Sequence, residues 1–344
     1  MSQAPDVADA CSFSKEDLAR DHAVVMISLD DVRAAARRIG AAAHQTPVLT
    51  SRALDAATDA TVFLKAENLQ RTGAFKFRGA FNAVASLTDD ERSRGVATVS
   101  SGNHAQALAL AARLHGARAV ILMPDDTPTG KLAATESHGA ELIRFDRYSA
   151  DREELLAELV AERGLVPIHP YENERVMAGQ GTVALELIED VGPLDLLLVC
   201  VGGGGLISGC ATAAKGLLDG VRVVGVEPAA GDDVRRSLQA GTRVRIPVPH
   251  TIADGQQLPA PGVLPFEVIR ERVDDVALAS DPEIVRAMRF LFERLKTVAE
   301  PSGACALAAL LAGHVDARGL RVGVTITGGN VTAERFADLT APGR

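Results

Sequence analysis

From Asp31 onward, apolar residues recur along the chain in two alternating rhythms. Val32, Ala35, Ala36 and Ile39 fall at helical spacing, and short continuous apolar runs follow. Thr61 to Leu64 and Gly95 to Val99 read as strands. Ala105, Leu108, Ala112 and Leu114 then mark a helix, Ala119 to Met123 a strand, and Lys131 to His138 a helix. Leu142 to Phe145 is a further strand, and Asp151 to Arg163 a charged amphipathic helix. Leu194 to Val201, Val221 to Val226 and Val322 to Ile326 are apolar throughout, as expected of strands buried on both faces. Strand–helix alternation of this extent predicts an α/β protein on mainly parallel sheets. A chain of 344 residues has room for two domains. No repeat, low-complexity tract or Pro/Gly-rich linker breaks the alternation, so a second domain is expected as an insertion within the first.

Charge and cysteine usage narrow the partners. A net charge of −9 gives no mean attraction to nucleic acid or an anionic membrane. It leaves room for a local basic pocket that takes a phosphate. No apolar run reaches the ~18 residues of a membrane span. Met1 to Asp21 is polar and acidic, unlike a signal peptide, and reads as a flexible lead-in over 1–26. Cys11, Cys200, Cys210 and Cys305 form no Cys-x-x-Cys pair and no zinc spacing, which fits reduced, structural thiols in the cytoplasm.

Four segments carry candidate chemistry. In Thr72-Gly73-Ala74-Phe75-Lys76-Phe77-Arg78-Gly79 a lysine sits between two phenylalanines. Apolar neighbours lower an amine's pKa and make it nucleophilic, as a Schiff-base lysine requires; a lysine packing its stem on the rings is the plain alternative. Ser100-Ser101-Gly102-Asn103-His104 follows one strand and opens a helix, the place where α/β proteins hold ligands and also where Ser and Asn cap helices. Val201-Gly202-Gly203-Gly204-Gly205-Leu206 can curl so that successive N–H groups face one anion. Thr327-Gly328-Gly329-Asn330 is another strand-end turn, with a hydroxyl. An amine, a phosphate cradle and hydroxyl and amide groups for a planar polar ring point together to pyridoxal phosphate.

In these segments the chain resembles the serine/threonine dehydratase (threonine ammonia-lyase) and serine racemase family of pyridoxal-phosphate enzymes. FKFRGA, SSGNHAQALALAARLHG, MAGQGTVALEL, VGGGGLISG, VEP, TIADG, EPSGA and GGN match its motifs in order, from about Ile27 to Asp338. The resemblance implies fold type II (tryptophan synthase beta-like): a two-domain α/β enzyme with parallel-rich twisted sheets flanked by helices. The large domain would comprise 27–94 and 166–344, and a small α/β domain over 95–165 would be inserted in it. A homodimer is a family expectation. So is the lack of the regulatory domain that biosynthetic threonine dehydratases carry.

Carried over by position, Lys76 would hold the cofactor as a Schiff base and serve as the base at Cα. Phe75 would flank the ring, and Asn103 would bond its hydroxyl. Gly202, Gly203, Gly204, Gly205 and Leu206 would hold the phosphate, and Thr327 would face the ring nitrogen. A hydroxyl there, unlike a carboxylate, need not keep that nitrogen protonated, which should favour elimination. Ser101 would carry a proton on the face opposite Lys76, as in racemases. Ser100, Ser101, Gly102, Asn103 and His104 would receive the substrate carboxylate. Arg152 and Tyr171 would shape the side-chain pocket, with an acidic substrate such as 3-hydroxyaspartate in view. Glu227, the Gly231 carbonyl and Asp233 resemble a divalent-cation site suited to Mg²⁺, or else Ca²⁺ or Mn²⁺. The expected reaction is α,β-elimination from L-threonine, L-serine or a related β-hydroxy amino acid to a 2-keto acid and ammonia. Serine racemase and 3-hydroxyaspartate dehydratase are the alternatives within the family. A nicotinamide-dependent oxidoreductase would also use Gly-rich strand-end turns, and Glu227 ends the next strand as such an enzyme's ribose-binding acid does. That reading leaves FKFRG and SSGNHAQ unexplained. A catalytically silent cofactor-binding protein would have no need of Lys76.

Overall fold

The computed structural model describes residues 26–146 and 151–341. Apart from Met26, the expected lead-in over 1–26 lies outside the described residues, and so does Cys11. Among the described residues there are ten strands: β1 (Val48–Leu49), β2 (Thr61–Ala66), β3 (Val96–Val99), β4 (Ala119–Pro124), β5 (Glu141–Phe145), β6 (Val166–Pro167), β7 (Leu196–Cys200), β8 (Arg222–Pro228), β9 (Asp275–Ala279) and β10 (Arg321–Ile326). They form a six-stranded sheet, β1-β2-β10-β7-β8-β9, and a four-stranded sheet, β5-β4-β3-β6. Every pairing is parallel except β1 with β2. The protein is therefore α/β with parallel-rich sheets. Among the described residues no helix is long and apolar enough to cross a membrane.

β7 and β10 lie side by side at the centre, and Leu196 to Val199, Val322, Val324 and Ile326 are fully buried. Such strands read clearly from an unbroken apolar run. Two-residue β1 and β6 carry too little pattern to be seen, and edge strand β9 is Asp-Val-Ala-Leu-Ala, whose alanines favour helix as readily as strand. Helices Lys76–Ala85 and Glu174–Val191 escape for another reason. Their polar residues Arg78, Asn82, Gln180 and Thr182 are buried, so neither helix shows a polar face.

Missing side chains bring three of these helices together. A Cβ added at Gly179 would lie 2.7 Å from the Cα of Gly79, and one at Gly181 would lie 2.7 Å from the carbonyl of Gly209. Gly79 belongs to the helix that begins at Lys76, and Gly209 to Gly205–Leu217, which begins at the glycine loop. Helix Glu174–Val191 is thus a common spacer between the candidate lysine and the candidate phosphate cradle. Any larger residue would push them apart.

Behind Lys76 lies a buried ion network. Arg78, 0% exposed, donates from Nε and Nη2 to Glu67 at 2.8 Å each, and from Nη1 and Nη2 to Glu186 at 2.6 and 2.7 Å. Lys65, also 0% exposed, meets Glu186 at 3.0 Å and Asp190 at 3.3 Å. Burial by itself would raise the Glu67 pKa; the charge and hydrogen bonds of Arg78 outweigh it and hold the carboxyl below its ordinary value. Removing one partner of such a pair strands a buried charge. Arg78→Met should therefore cost about 3–5 kcal/mol of stability, read as a lower urea midpoint with an unchanged slope. A loss below ~1 kcal/mol would show that the network is not needed to hold this turn.

Candidate active site

Strands running parallel present their carboxyl ends along one edge, and the turns after β3, β7 and β10 open onto one cavity of about 410 Å³. Phe75, Lys76, Ser100, Ser101, Gly102, Asn103, His104, Arg152, Tyr171, Gly202, Gly203, Gly204, Gly205, Leu206 and Thr327 all line it. Residues as far apart in the sequence as Phe75 and Thr327 are thus brought to a single site.

The Lys76 turn is stitched to the turn after β10. Phe75 N–H donates to the Thr327 carbonyl at 3.0 Å, and Gly329 N–H to the Gly73 carbonyl at 2.9 Å. Asn330 Nδ2 donates to the Thr72 carbonyl at 2.7 Å. Thr72 and Gly73 both take positive φ, 58° and 71°, which turns the chain sharply into the helix that Lys76 begins. Lys76 Nζ donates to the Pro170 carbonyl at 3.1 Å and lies 5.1 Å from the centre of the Phe75 ring. Burial lowers its pKa to about 8. Compared with a free lysine, far more of the amine is neutral near physiological pH.

Across the cavity, Gly204, with φ of 94°, caps helix Gly205–Leu217. Among the described residues no side chain caps the start of that helix, and Gly204, Gly205 and Leu206 present its positive end to the cavity. Tyr171 packs its ring over this loop, where a Cβ at Gly203 would overlap it. The ring also meets His169 edge-on at 4.5 Å, and its hydroxyl lies 3.5 Å from Arg152 Nη2. Tyr171 therefore buttresses the glycine loop from the cavity wall. Arg152 begins helix Arg152–Arg163 with its side chain 46% exposed, beside Glu153 at 3.1 Å.

The Asn103 amide is held from both ends: Nδ2 donates to Glu300 at 2.7 Å, and Oδ1 accepts from Asn330 at 2.8 Å. Burial, then the charge of Asp254, pushes Glu300 up to about 8. The side chain of His104 is 2% exposed, and its Nε2 lies 2.9 Å from the Ile168 carbonyl. Burial lowers its pKa to about 3, so it stays neutral and Nε2 carries the proton that carbonyl accepts. The imidazole thus ties the turn to Ile168. Thr327 Oγ1 lies 3.4 Å from Cys200 Sγ, a thiol that burial pushes up to about 11.

The remaining sequence candidates lie outside this cavity. Glu227, the penultimate residue of β8, accepts from Val234 N–H at 3.0 Å and Arg235 N–H at 2.9 Å, in the first turn of helix Asp233–Ala240. Burial and then the charge of Asp233 raise Glu227, and burial raises Asp233 to about 7. Asp233 Oδ2 is buried without a hydrogen-bond partner. Among the described residues no group of three or more His, Cys, Asp or Glu side chains could hold a metal. A cation here would need backbone oxygen as well, such as the Gly231 carbonyl.

Sequence reasoning missed several lining residues: Lys131, Pro170, Cys200, Asp254 and Glu300. Glu300 and Asp254 do lie in EPSGA and TIADG, so the segments were visible even though their roles were not.

The comparisons with known proteins agree with this geometry. The family described as "Pyridoxal-phosphate dependent enzyme" matches residues 39–328. An L-threo-3-hydroxyaspartate ammonia-lyase of Saccharomyces cerevisiae is 48% identical over 316 residues, 92% of this chain and 97% of that protein. A serine racemase of Schizosaccharomyces pombe is 48% identical over 314 residues, 91% of this chain and 97% of its own. The solved structure of maize serine racemase superposes with a TM-score of 0.87 at 40% identity, covering 89% of this chain and 94% of that one. By sequence and by fold, this chain belongs to the pyridoxal-phosphate dependent enzymes.

Proposed function

We propose that this enzyme is an ammonia-lyase that converts a β-hydroxy amino acid to a 2-keto acid and ammonia, and that it favours a substrate bearing a second carboxylate, such as 3-hydroxyaspartate. One observation carries the reading: a lysine of lowered pKa and an uncapped, glycine-started helix share a cavity that Arg152 also lines. The names of relatives about 50% identical point the same way.

The residues present fit the cofactor. The amides of Gly202 to Leu206 suit its phosphate, since among the described residues no side chain caps that helix start. The amine of Lys76 suits its aldehyde, and Phe75 suits the edge of the ring. Asn103, with one amide hydrogen on Glu300, keeps a second for the ring hydroxyl. Thr327 offers a hydroxyl to the ring nitrogen. When bound, pyridoxal phosphate supplies an electron sink that acidifies the substrate Cα–H. Lys76 then takes that proton as general base, and the β-hydroxyl departs. The N–H groups around Ser100 to His104 would receive the substrate α-carboxylate, and Arg152 with Tyr171 its side chain. Ser101 lines the same cavity and is the second proton carrier in this proposal. It would give the enzyme a racemase activity beside elimination, as the likeness to serine racemases suggests.

Glu227, Gly231 and Asp233 are proposed as a divalent-cation site, supported by the raised carboxyls and the unpartnered Oδ2. The four-stranded sheet supports a small domain inserted at 95–165 between 27–94 and 166–344, but its edge strand β6, Val166–Pro167, runs past that bound. Buried free Cys200, Cys210 and Cys305 support a reducing, cytoplasmic setting. A homodimer rests on the family alone.

Lys76→Ala should lower 2-keto acid formation by about 10³-fold or more, measured with 3-hydroxyaspartate and L-serine; retained turnover would sink the assignment. Ser101→Ala should reduce D-serine formation at least ~10-fold more than pyruvate formation from L-serine. Equal losses would remove Ser101 from the proton path. The apoenzyme should capture cofactor through neutral Lys76. Because burial lowers that pKa to about 8, the capture rate should rise with pH and level off above about 8. A stopped-flow absorbance profile still rising steeply toward pH 10 would show an unperturbed amine.

A further inference from the structure

Lys131 and Asp254 face each other on the cavity wall, with Nζ 2.6 Å from Oδ2. Lys131 comes from helix Thr129–Ser137, between β4 and β5 of the four-stranded sheet. Asp254 opens the turn Asp254–Gln256, between β8 and β9 of the six-stranded sheet. The pair therefore spans the two halves at the cavity. Both side chains also reach water, 27% and 51% exposed.

The charges around the pair make its balance matter. Glu300 feels Asp254 and Lys131 with opposite sign, so both act within the same field. Arg152 is the other charged side chain on this wall that is fixed in charge by its chemistry. An unpaired Asp254 would set a full negative charge beside the route of an anionic substrate. Paired with Lys131, it presents a dipole of little net field.

We infer that Lys131 is a specificity-determining residue: by neutralising Asp254 it admits substrates with a second carboxylate, and it matters little to neutral ones. The inference rests on the ammonia-lyase reading above for its substrate pair. A charge effect of this kind has a sign that a merely structural contact lacks. Lys131→Met should lower the ratio of kcat/KM for 3-hydroxyaspartate over L-serine by about 10-fold. Asp254→Asn should raise the same ratio, and the double variant should return near the parent value. The singles would then move in opposite directions although each breaks the same ion pair.

The experiment measures these four proteins as holoenzymes, with both substrates, and adds calorimetric binding of succinate against propionate. Succinate preference should follow the same order: weakest in Lys131→Met, strongest in Asp254→Asn. If both single variants shift the ratios in the same direction, or shift neither, the pair is only a brace and the inference is overturned. If the parent turns over neither amino acid, the ammonia-lyase reading fails, and the succinate order still decides the role of Lys131.

Discussion

The constraint on which this site depends is the two-sided anchoring of the Lys76 turn. On the cavity side, Phe75, Gly73 and Thr72 are bonded to Thr327, Gly329 and Asn330. On the far side, Arg78 is gripped by Glu67 and Glu186. Thr72 has positive φ, which a β-branched residue adopts only when its surroundings enforce it. The hydrogen bonds on both sides supply that enforcement. Burying Arg78 carries a large desolvation cost, so the network is poorly explained as a source of net stability. Its geometry explains it better. An arginine two residues after the amine, forked to two carboxylates, permits only one orientation of the helix start.

The cavity also sorts its titratable groups by burial. Desolvation favours neutral forms of either sign, lowering bases and raising acids. His104 falls to about 3 and Lys76 to about 8, while Glu300 rises to about 8 and Cys200 to about 11. Near neutral pH His104, Glu300 and Cys200 are thus mainly uncharged while Lys76 keeps most of its positive charge, so the deep wall carries little negative charge. The uncapped start of helix Gly205–Leu217 is then a local attractor for an anion, because little negative charge on the deep wall opposes it. A net charge of −9 is therefore compatible with the phosphate site proposed at this loop.

The parts of this arrangement legible in the sequence were those written in short, contiguous segments. A buried strand followed by glycines or by Ser-Ser-Gly-Asn shows its own turn, and order along the chain was enough to name the candidates. What escaped depended on pairs far apart in sequence. Glu300 holds Asn103 across 197 positions, and Asn330 does so across 227. Nothing local to Glu300 shows that it is buried or what it holds. The sequence groups His104 with the turn expected to receive the substrate carboxylate; its ring points inward, to the Ile168 carbonyl. Helix Lys76–Ala85 hid because the Arg78 network buries the polar residues that would have marked an amphipathic face.

Topology and selectivity meet at the same edge. Two parallel sheets with carboxyl ends on one cavity must build its wall from both halves, so contacts across the gap are unavoidable. Polar contacts there can be neutral, as in Asn103 with Asn330, or charged, as in Lys131 with Asp254. A neutral contact fixes distance alone. A charged one fixes distance and also sets the potential met by an entering substrate, since both groups remain partly in water and act along its path. Both contacts are partly solvated: Asn103, Asn330 and Lys131 are half-buried and Asp254 is exposed. A fold that only needed bracing could have used an amide pair at both places. An exposed ion pair contributes little to stability, so its presence at the entrance is better explained by the field it sets than by the strength it adds.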